Sequence, residues 1–188
     1  MIQTAQTTLA YGRVRLSRLR IENIYRHYAW NNDPELNKMD SEIPFRQETF
    51  GDFKKRFERL VYDPVPGEMD FEVHAEDGTL IGVAYVGRIS DYNRHCRVGV
   101  TIGDRQHRGK GYGREVLHAL LAYCFQGLSM HRVCAETFAY NAAWKRLLEE
   151  AGFCKEGTER DYIFRDGTFW DKEVYALLDR EYQAASAA

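Results

Sequence analysis

Gln106-His107-Arg108-Gly109-Lys110-Gly111-Tyr112-Gly113 is the stretch on which the reading of this chain turns. Just before it, Val98-Gly99-Val100-Thr101-Ile102 alternates apolar residues and reads as a strand. Just after it, residues 115–125 carry Val116, Leu117, Leu120, Leu121, Cys124 and Phe125 at helical spacing. The local order is strand, glycine-rich loop, helix. Glycine lets a backbone approach a ligand closely. The first N–H groups of a helix form a concavity that suits an anion, and the helix dipole adds partial positive charge. Arg108, Lys110 and Arg114 add formal charge. Glycines at 109, 111 and 113 match neither a P-loop nor the dinucleotide fingerprint. Taken alone, they suit a tight turn equally well.

Working outward, 188 residues fit one domain with a substantial core. A hydrophobic fraction of 44% with 29% charged residues is that of a globular protein. The formal net charge of −2 argues against a general nucleic-acid binder, which needs a basic surface to release counterions. No apolar run approaches the ~20 residues of a membrane helix. Residues 1–10 lack the basic start and apolar centre of a signal peptide. Cys96, Cys124, Cys134 and Cys154 have no C-x-x-C spacing and sit in apolar segments. They are expected buried and reduced, which favours a cytoplasmic location and argues against a zinc site.

In chain order, residues 1–10 are polar and expected to be flexible. Residues 14–19 read as a strand and residues 21–30 as a helix with Ile21, Ile24, Tyr25 and Tyr28 on one face. Pro34 closes that helix. Residues 35–45 read as a loop, and the segment holding Asp33, Glu35, Asp40 and Glu42 has little compensating charge. Residues 47–62 read as a second helix. Strands follow at 70–74, 80–89, 96–102 and 130–138, with a hairpin turn at Asp77-Gly78. Asn141 suits an N-cap and Gly152 a helix stop. Residues 156–164 and 169–178 pair around Asp166-Gly167. The reading is one domain over 11–182, with 183–188 a flexible tail.

Three sets of residues extend the loop into a pattern. They are Gln106-x-x-Gly109-x-Gly111, then Asn141 leading to Ala151-Gly152-Phe153, then Glu156-Gly157-x-x-Arg160 with Arg165-Asp166-Gly167. In this order and spacing the chain resembles the GNAT N-acetyltransferase family, over roughly residues 11–182. The subgroup it is most similar to contains the ribosomal-protein N-terminal acetyltransferases and the spermidine acetyltransferases. The resemblance implies an α/β (α+β) fold. Its central sheet is mixed, mostly antiparallel and twisted, with about six to seven strands and about four flanking helices. Acetyl-CoA is then the co-substrate, with no metal. The acceptor is a primary amine on a protein or peptide N-terminus, or else on a polyamine or amino-sugar. No nucleic-acid or membrane partner is implied, and a homodimer is compatible.

The resemblance also assigns positions. The amides of Arg108, Gly109, Lys110, Gly111, Tyr112 and Gly113 would hold the pyrophosphate. The strand edge at Val100, Thr101 and Ile102 would pair with the pantetheine arm. That strand would splay from the one ending near Phe138, and Asn141 would touch the arm. A strand N–H would polarise the thioester carbonyl. Two positions depart from the family. Leu148 stands where many members have a tyrosine that protonates the leaving thiolate, and Arg97 where relatives place a glutamate base. Glu136 is the expected substitute base; a plain surface carboxylate is the equal alternative. Tyr162 would line the acceptor groove, or simply pack. Trp30, Asp33 and Glu35 would steer a cationic acceptor, or belong to a solvated loop. His107 and His131 read as structural. The departures at 97 and 148 leave open a module that senses CoA with little turnover.

Overall fold

The computed structural model describes residues 8–187. Its strands are β1 (Leu9–Tyr11), β2 (Val14–Arg18), β3 (Met69–His74), β4 (Leu80–Ser90), β5 (His95–Thr101), β6 (Arg132–Phe138), β7 (Cys154–Arg165) and β8 (Thr168–Leu178). The helices are α1 (Ile24–Asn31), α2 (Pro34–Asp40), α3 (Phe50–Tyr62), α4 (Tyr112–Ala122), α5 (Ala142–Glu150) and α6 (Asp179–Ala187). One sheet runs in the order β1-β2-β3-β4-β5-β6-β8-β7. Among the described residues only the β5–β6 pair is parallel. This is the mixed, mostly antiparallel sheet expected, with eight strands rather than six or seven.

Alternation explains which face each strand buries. Leu16, Phe71, Val73, Val86 and Val98 point to one side and meet Val116, Leu117, Leu120 and Leu121 of α4 in a single core. Each such side chain contributes roughly 1.5–3 kcal/mol when fully buried. On the other side, Ile24 of α1 packs with Phe53 and Phe57 of α3. No helix among the described residues is long and apolar enough to cross a membrane.

Four expectations are corrected. Leu9 and Ala10, the end of the expected flexible start, form β1 with Tyr11, which pairs with β2 as Leu9↔Leu16, Ala10↔Arg15 and Tyr11↔Val14. The segment read as an acidic loop contains α2; Pro34 does not merely stop α1 but starts α2 at its first position. Asp33 caps it, accepting the Glu35 N–H at 2.9 Å. α6 runs to Ala187, through most of the expected tail. Residues 1–7 and 188, the rest of the two ends, lie outside the described residues. Finally, Cys96 and Cys124 are buried as expected, but Cys134 is half-buried and Cys154 exposed; all four are free thiols.

What positions the site is the β5–β6 pairing. It holds for only three pairs, His95↔Arg132, Cys96↔Val133 and Arg97↔Cys134. Beyond them β5 stays with β4 and β6 with β8, so the two strands part. The expected splay is present.

Candidate active site

The loop between β5 and α4 is built from local capping. Asp104 accepts the Gln106 N–H at 2.8 Å and starts a short turn over Arg105–His107. The chain then passes through Gly109 (φ +72°) and Gly111 (φ +88°), left-handed conformations that favour glycine, and enters α4. The N–H groups of residues 109–113 meet no protein acceptor among the described residues. Most backbone donors in folded proteins are paired, so five successive free ones at a helix start form a ready anion cradle. Arg13, in the β1–β2 turn, braces this cradle. Its guanidinium donates to the Lys110 carbonyl at 2.9 Å and to Glu115 Oε1, and lies 4.4 Å from the centre of the Tyr112 ring. In a trans peptide the carbonyl and the following N–H point opposite ways. Holding the Lys110 carbonyl therefore turns the Gly111 N–H away from Arg13. The Arg108 side chain has a different task from adding charge toward a ligand. It donates to the carbonyls of Ile102 (2.9 Å) and Gly103 (3.0 Å) and to Glu35 (3.2 Å), stapling the loop to the end of β5.

Between the parted strands lies a cavity of about 500 Å³. Val98–Thr101 form one wall and Glu136, Thr137 and Phe138 the other, with Asn141 and Trp144 at one end. A passage of about 250 Å³ continues it, sharing Val100, Thr101, Asn141 and Trp144, and reaches Ile102, Arg108, Gly109 and Gly113. A path therefore runs from the free amides to an unpaired strand edge. Those features fit CoA: amides for phosphate, and a strand edge for an extended amide-bearing arm. Asn141 lines both spaces and caps α5, its Oδ1 accepting the Trp144 N–H at 3.2 Å.

The charges in the cavity are mostly paired. Glu136 does face it from β6, but Arg97 grips both carboxylate oxygens, through Nη1 at 2.7 Å and through Nη2. Lys172 adds a third contact at 3.4 Å. Those bonds occupy the lone pairs that a base needs. Lys172 also reaches Glu159 (3.2 Å) and Glu42 (3.3 Å), and its Nζ lies 3.9 Å from the Tyr162 ring centre. Burial acts to lower the Lys172 amine, but Tyr162 and the carboxylates outweigh it and hold it above the ordinary lysine value. Tyr162 thus covers Lys172 and does not itself line the cavity. Leu148 is fully buried in the core, so no acid stands in for the missing tyrosine there.

The acidic segment is compensated from afar. Asp33 and Glu35 face Arg105 at 3.3 and 3.1 Å, Glu35 also faces Arg108, Lys38 pairs with Asp166, and Glu42 pairs with Lys172. Burial acts to raise the Asp33 carboxyl, yet the N–H groups of Glu35 and Leu36 and then Arg105 bring it below its usual value. Trp30 packs on Gly103, where a Cβ would sit 2.4 Å from the indole; Arg26 lies 5.9 Å from the ring centre. It borders a third cavity, of about 340 Å³, beneath α1 and α3. Arg13, Asp40 and Lys172 have no local sequence signal, because each acts on a partner far along the chain. Among the described residues no group of three His, Cys, Asp or Glu side chains could hold a metal ion.

The family described as Acetyltransferase (GNAT) domain matches residues 13–154. An uncharacterised N-acetyltransferase, p20, of Bacillus licheniformis is 28% identical over 176 residues, covering 93% of this chain and 98% of its own. The [ribosomal protein uS5]-alanine N-acetyltransferase of Escherichia coli is 33% identical over 108 residues, 57% of this chain and 55% of that one. The crystal structure of Vibrio cholerae spermidine N-acetyltransferase in complex with CoA and spermine superposes with a TM-score of 0.81. It is 24% identical and covers 91% of this chain and 98% of its own, which is a likeness of fold.

Proposed function

Since the chain belongs to the GNAT acetyltransferase family and is an acetyl-CoA-dependent N-acetyltransferase, we propose that its acceptor is a protein or peptide N-terminus and that the amine attacks directly. The observation that supports transfer from acetyl-CoA at this place is the parting of β5 and β6 beside five free amides. When bound, acetyl-CoA supplies an acyl group activated as a thioester. The amides of residues 109–113 would hold its phosphates, and the edge at Val100, Thr101 and Ile102, with Asn141, its arm. A free N–H on that edge would stabilise negative charge developing on the carbonyl oxygen.

Direct attack is supported by the lining of the cavity, which includes no cysteine that could carry the acetyl group. A thiol of ordinary pKa near ~8.5 leaves without a dedicated acid, which accommodates Leu148. The peptide reading is favoured by the likeness to the Escherichia coli enzyme. A polyamine acceptor is the second reading. It is favoured by Asp40, a carboxylate on the cavity wall with no ion pair among the described residues, and by the fold likeness to the spermidine enzyme. Four free thiols support a reducing, cytoplasmic setting.

The test is thiol release from acetyl-CoA with a panel of peptides of varied N-terminal residue, polyamines and amino-sugars. Turnover on peptides with intersecting initial-rate lines is the expected result. Faster turnover on polyamines would replace the acceptor. Tight CoA binding with no turnover on any amine would favour the sensor.

A further inference from the structure

We propose that Asp40 is the general base of this acetyltransferase, taking the proton from the acceptor's ammonium group. The inference rests on the transfer reading above and adds the residue that the sequence left unassigned. Asp40 ends α2 at the meeting point of the three cavities: the one between β5 and β6, the passage to the loop, and the one beneath α1 and α3. Thr101 borders the same three, and its Oγ1 donates to Asp40 Oδ2 at 2.5 Å. That bond ties the carboxylate to the strand edge where the acyl arm would lie. The other oxygen, Oδ1, has no protein donor among the described residues, and Asp40 has no ion pair there.

Its competitors are occupied or elsewhere. Glu136 is held by Arg97 and Lys172, and Glu42 by Lys172. Glu35, in the passage, is held by Arg105 and Arg108. Asp70 borders only the cavity beneath α1 and α3. The cations and the imidazole that face Asp40 are committed in the same way. Arg97 and Lys172 serve Glu136, Arg108 serves Glu35 and the end of β5, Arg56 serves Glu48, and His27 serves Glu72. Arg88, on β4, and the phenol of Tyr85 complete the titratable surroundings.

By surface area Asp40 is an exposed residue, on the rim that these cavities share. The protein packed around its carboxyl still pushes it up by desolvation, against the Thr101 bond and Arg108, which pull it down. The C-terminal end of α2, with its partial negative charge, acts in the same upward direction. A carboxylate shifted up accepts a proton closer to neutral pH and is the better base for it.

The step balances. An acceptor R–NH₃⁺ gives one proton to Oδ1. The neutral nitrogen forms the C–N bond as the C–S bond breaks. The departing thiolate takes the nitrogen's second proton, and Asp40 returns the first to water through the cavity. The sum is amide, CoA thiol and one proton.

Asp40→Asn keeps an oxygen for Thr101 and tests the role. With the best amine found, kcat should fall by about 10²–10⁴-fold. The CoA Kd by calorimetry should not change, and the variant should melt no lower than the wild type at neutral pH. The wild-type kcat should fall as acid protonates Asp40; the variant should lack that limb and speed up with pH as free amine accumulates. Asp40→Glu should restore part of the rate. A readout apart from turnover is the carboxyl ¹³C resonance of Asp40, which should titrate above the ordinary ~3.9. Wild-type kcat and pH profile in Asp40→Asn, or titration of Asp40 at or below that value, would overturn the base while leaving the transfer reading intact. A wild type that binds CoA and acetylates no amine would overturn the transfer reading, and the base with it.

Discussion

Glu72 has no exposed surface, and four groups converge on its carboxylate. The Arg20 N–H and the His27 ring donate to Oε1 at 3.0 Å, Asn23 to Oε2 at 2.7 Å, and the His74 ring to Oε2 at 3.2 Å. Burial acts to raise its pKa, but the four bonds win and bring it to about 2. His74 faces acceptors with both ring nitrogens, Glu72 at Nε2 and the Gly78 carbonyl at Nδ1. Only the imidazolium donates to both. The bond to Glu72 accordingly raises its pKa, against burial. The signs follow. Glu72 is depressed when folded, so its stabilisation is present above the unfolded value and is lost as pH falls toward 2. His74 is raised, so its share is complete below ~6.5 and fades as pH climbs through the raised value. Glu72→Gln should remove about 3 kcal/mol at pH 6 and flatten both limbs of a Tm-against-pH curve. A wild-type acid limb in the Glu72→Gln variant would show that the network is not ionised. This scale also explains what the sequence hid. Asn141 was legible because a cap acts on residues three positions away. Arg97–Glu136, Thr101–Asp40 and Lys172–Glu42 span 39, 61 and 130 positions, and no local pattern announces them.

Elements with strong periodicity or turn chemistry were readable, and α2 was not. Pro-Glu-Leu-Asn-Lys-Met-Asp buries only Leu36, so no apolar stripe marks it, and Pro34 reads as the end of α1 unless Asp33 is taken as a cap. The glycine-rich loop is the opposite case, since strand, glycines and helix announce one another. The loop makes a sharp prediction. At φ +88°, a valine at Gly111 costs about 1–2 kcal/mol in backbone strain, and its Cβ would lie 3.3 Å from the Arg13 guanidinium that braces the cradle. Gly111→Val should still fold, with Tm lowered by roughly 2–8 °C, and should lose CoA binding in a thermal-shift assay. Wild-type CoA affinity in that variant would make the loop a turn and nothing more. The expectation of no metal is checked on the same protein, by assaying turnover in EDTA; activity lost to the chelator and restored by zinc would refute it.

Across the whole molecule, charge is balanced by long-range pairing rather than by regional excess, and that changes what the acidic segment predicts. A run of carboxylates between two helices suggested a wall attracting cations. In the folded chain, Asp33 and Glu35 instead border the glycine-rich loop and neutralise Arg105 and Arg108. Removing the two negative charges should therefore act on the anionic co-substrate. Asp33→Asn keeps the α2 cap, because asparagine caps as well as aspartate, and exposed pairs of this kind are worth about 0–1 kcal/mol. The double variant Asp33→Asn, Glu35→Gln should thus remain folded, with Tm close to the wild type. Freed of their partners, the two arginines raise the local potential, so the KM for acetyl-CoA should fall and its dependence on ionic strength should steepen. The acceptor KM should stay at its wild-type value at low and high salt. Measured with the best acceptor, the opposite pattern would return these carboxylates to the acceptor side. A raised acceptor KM with a weaker salt dependence would mean that they attract a cation across the open rim of the cavity, despite the arginines beside them.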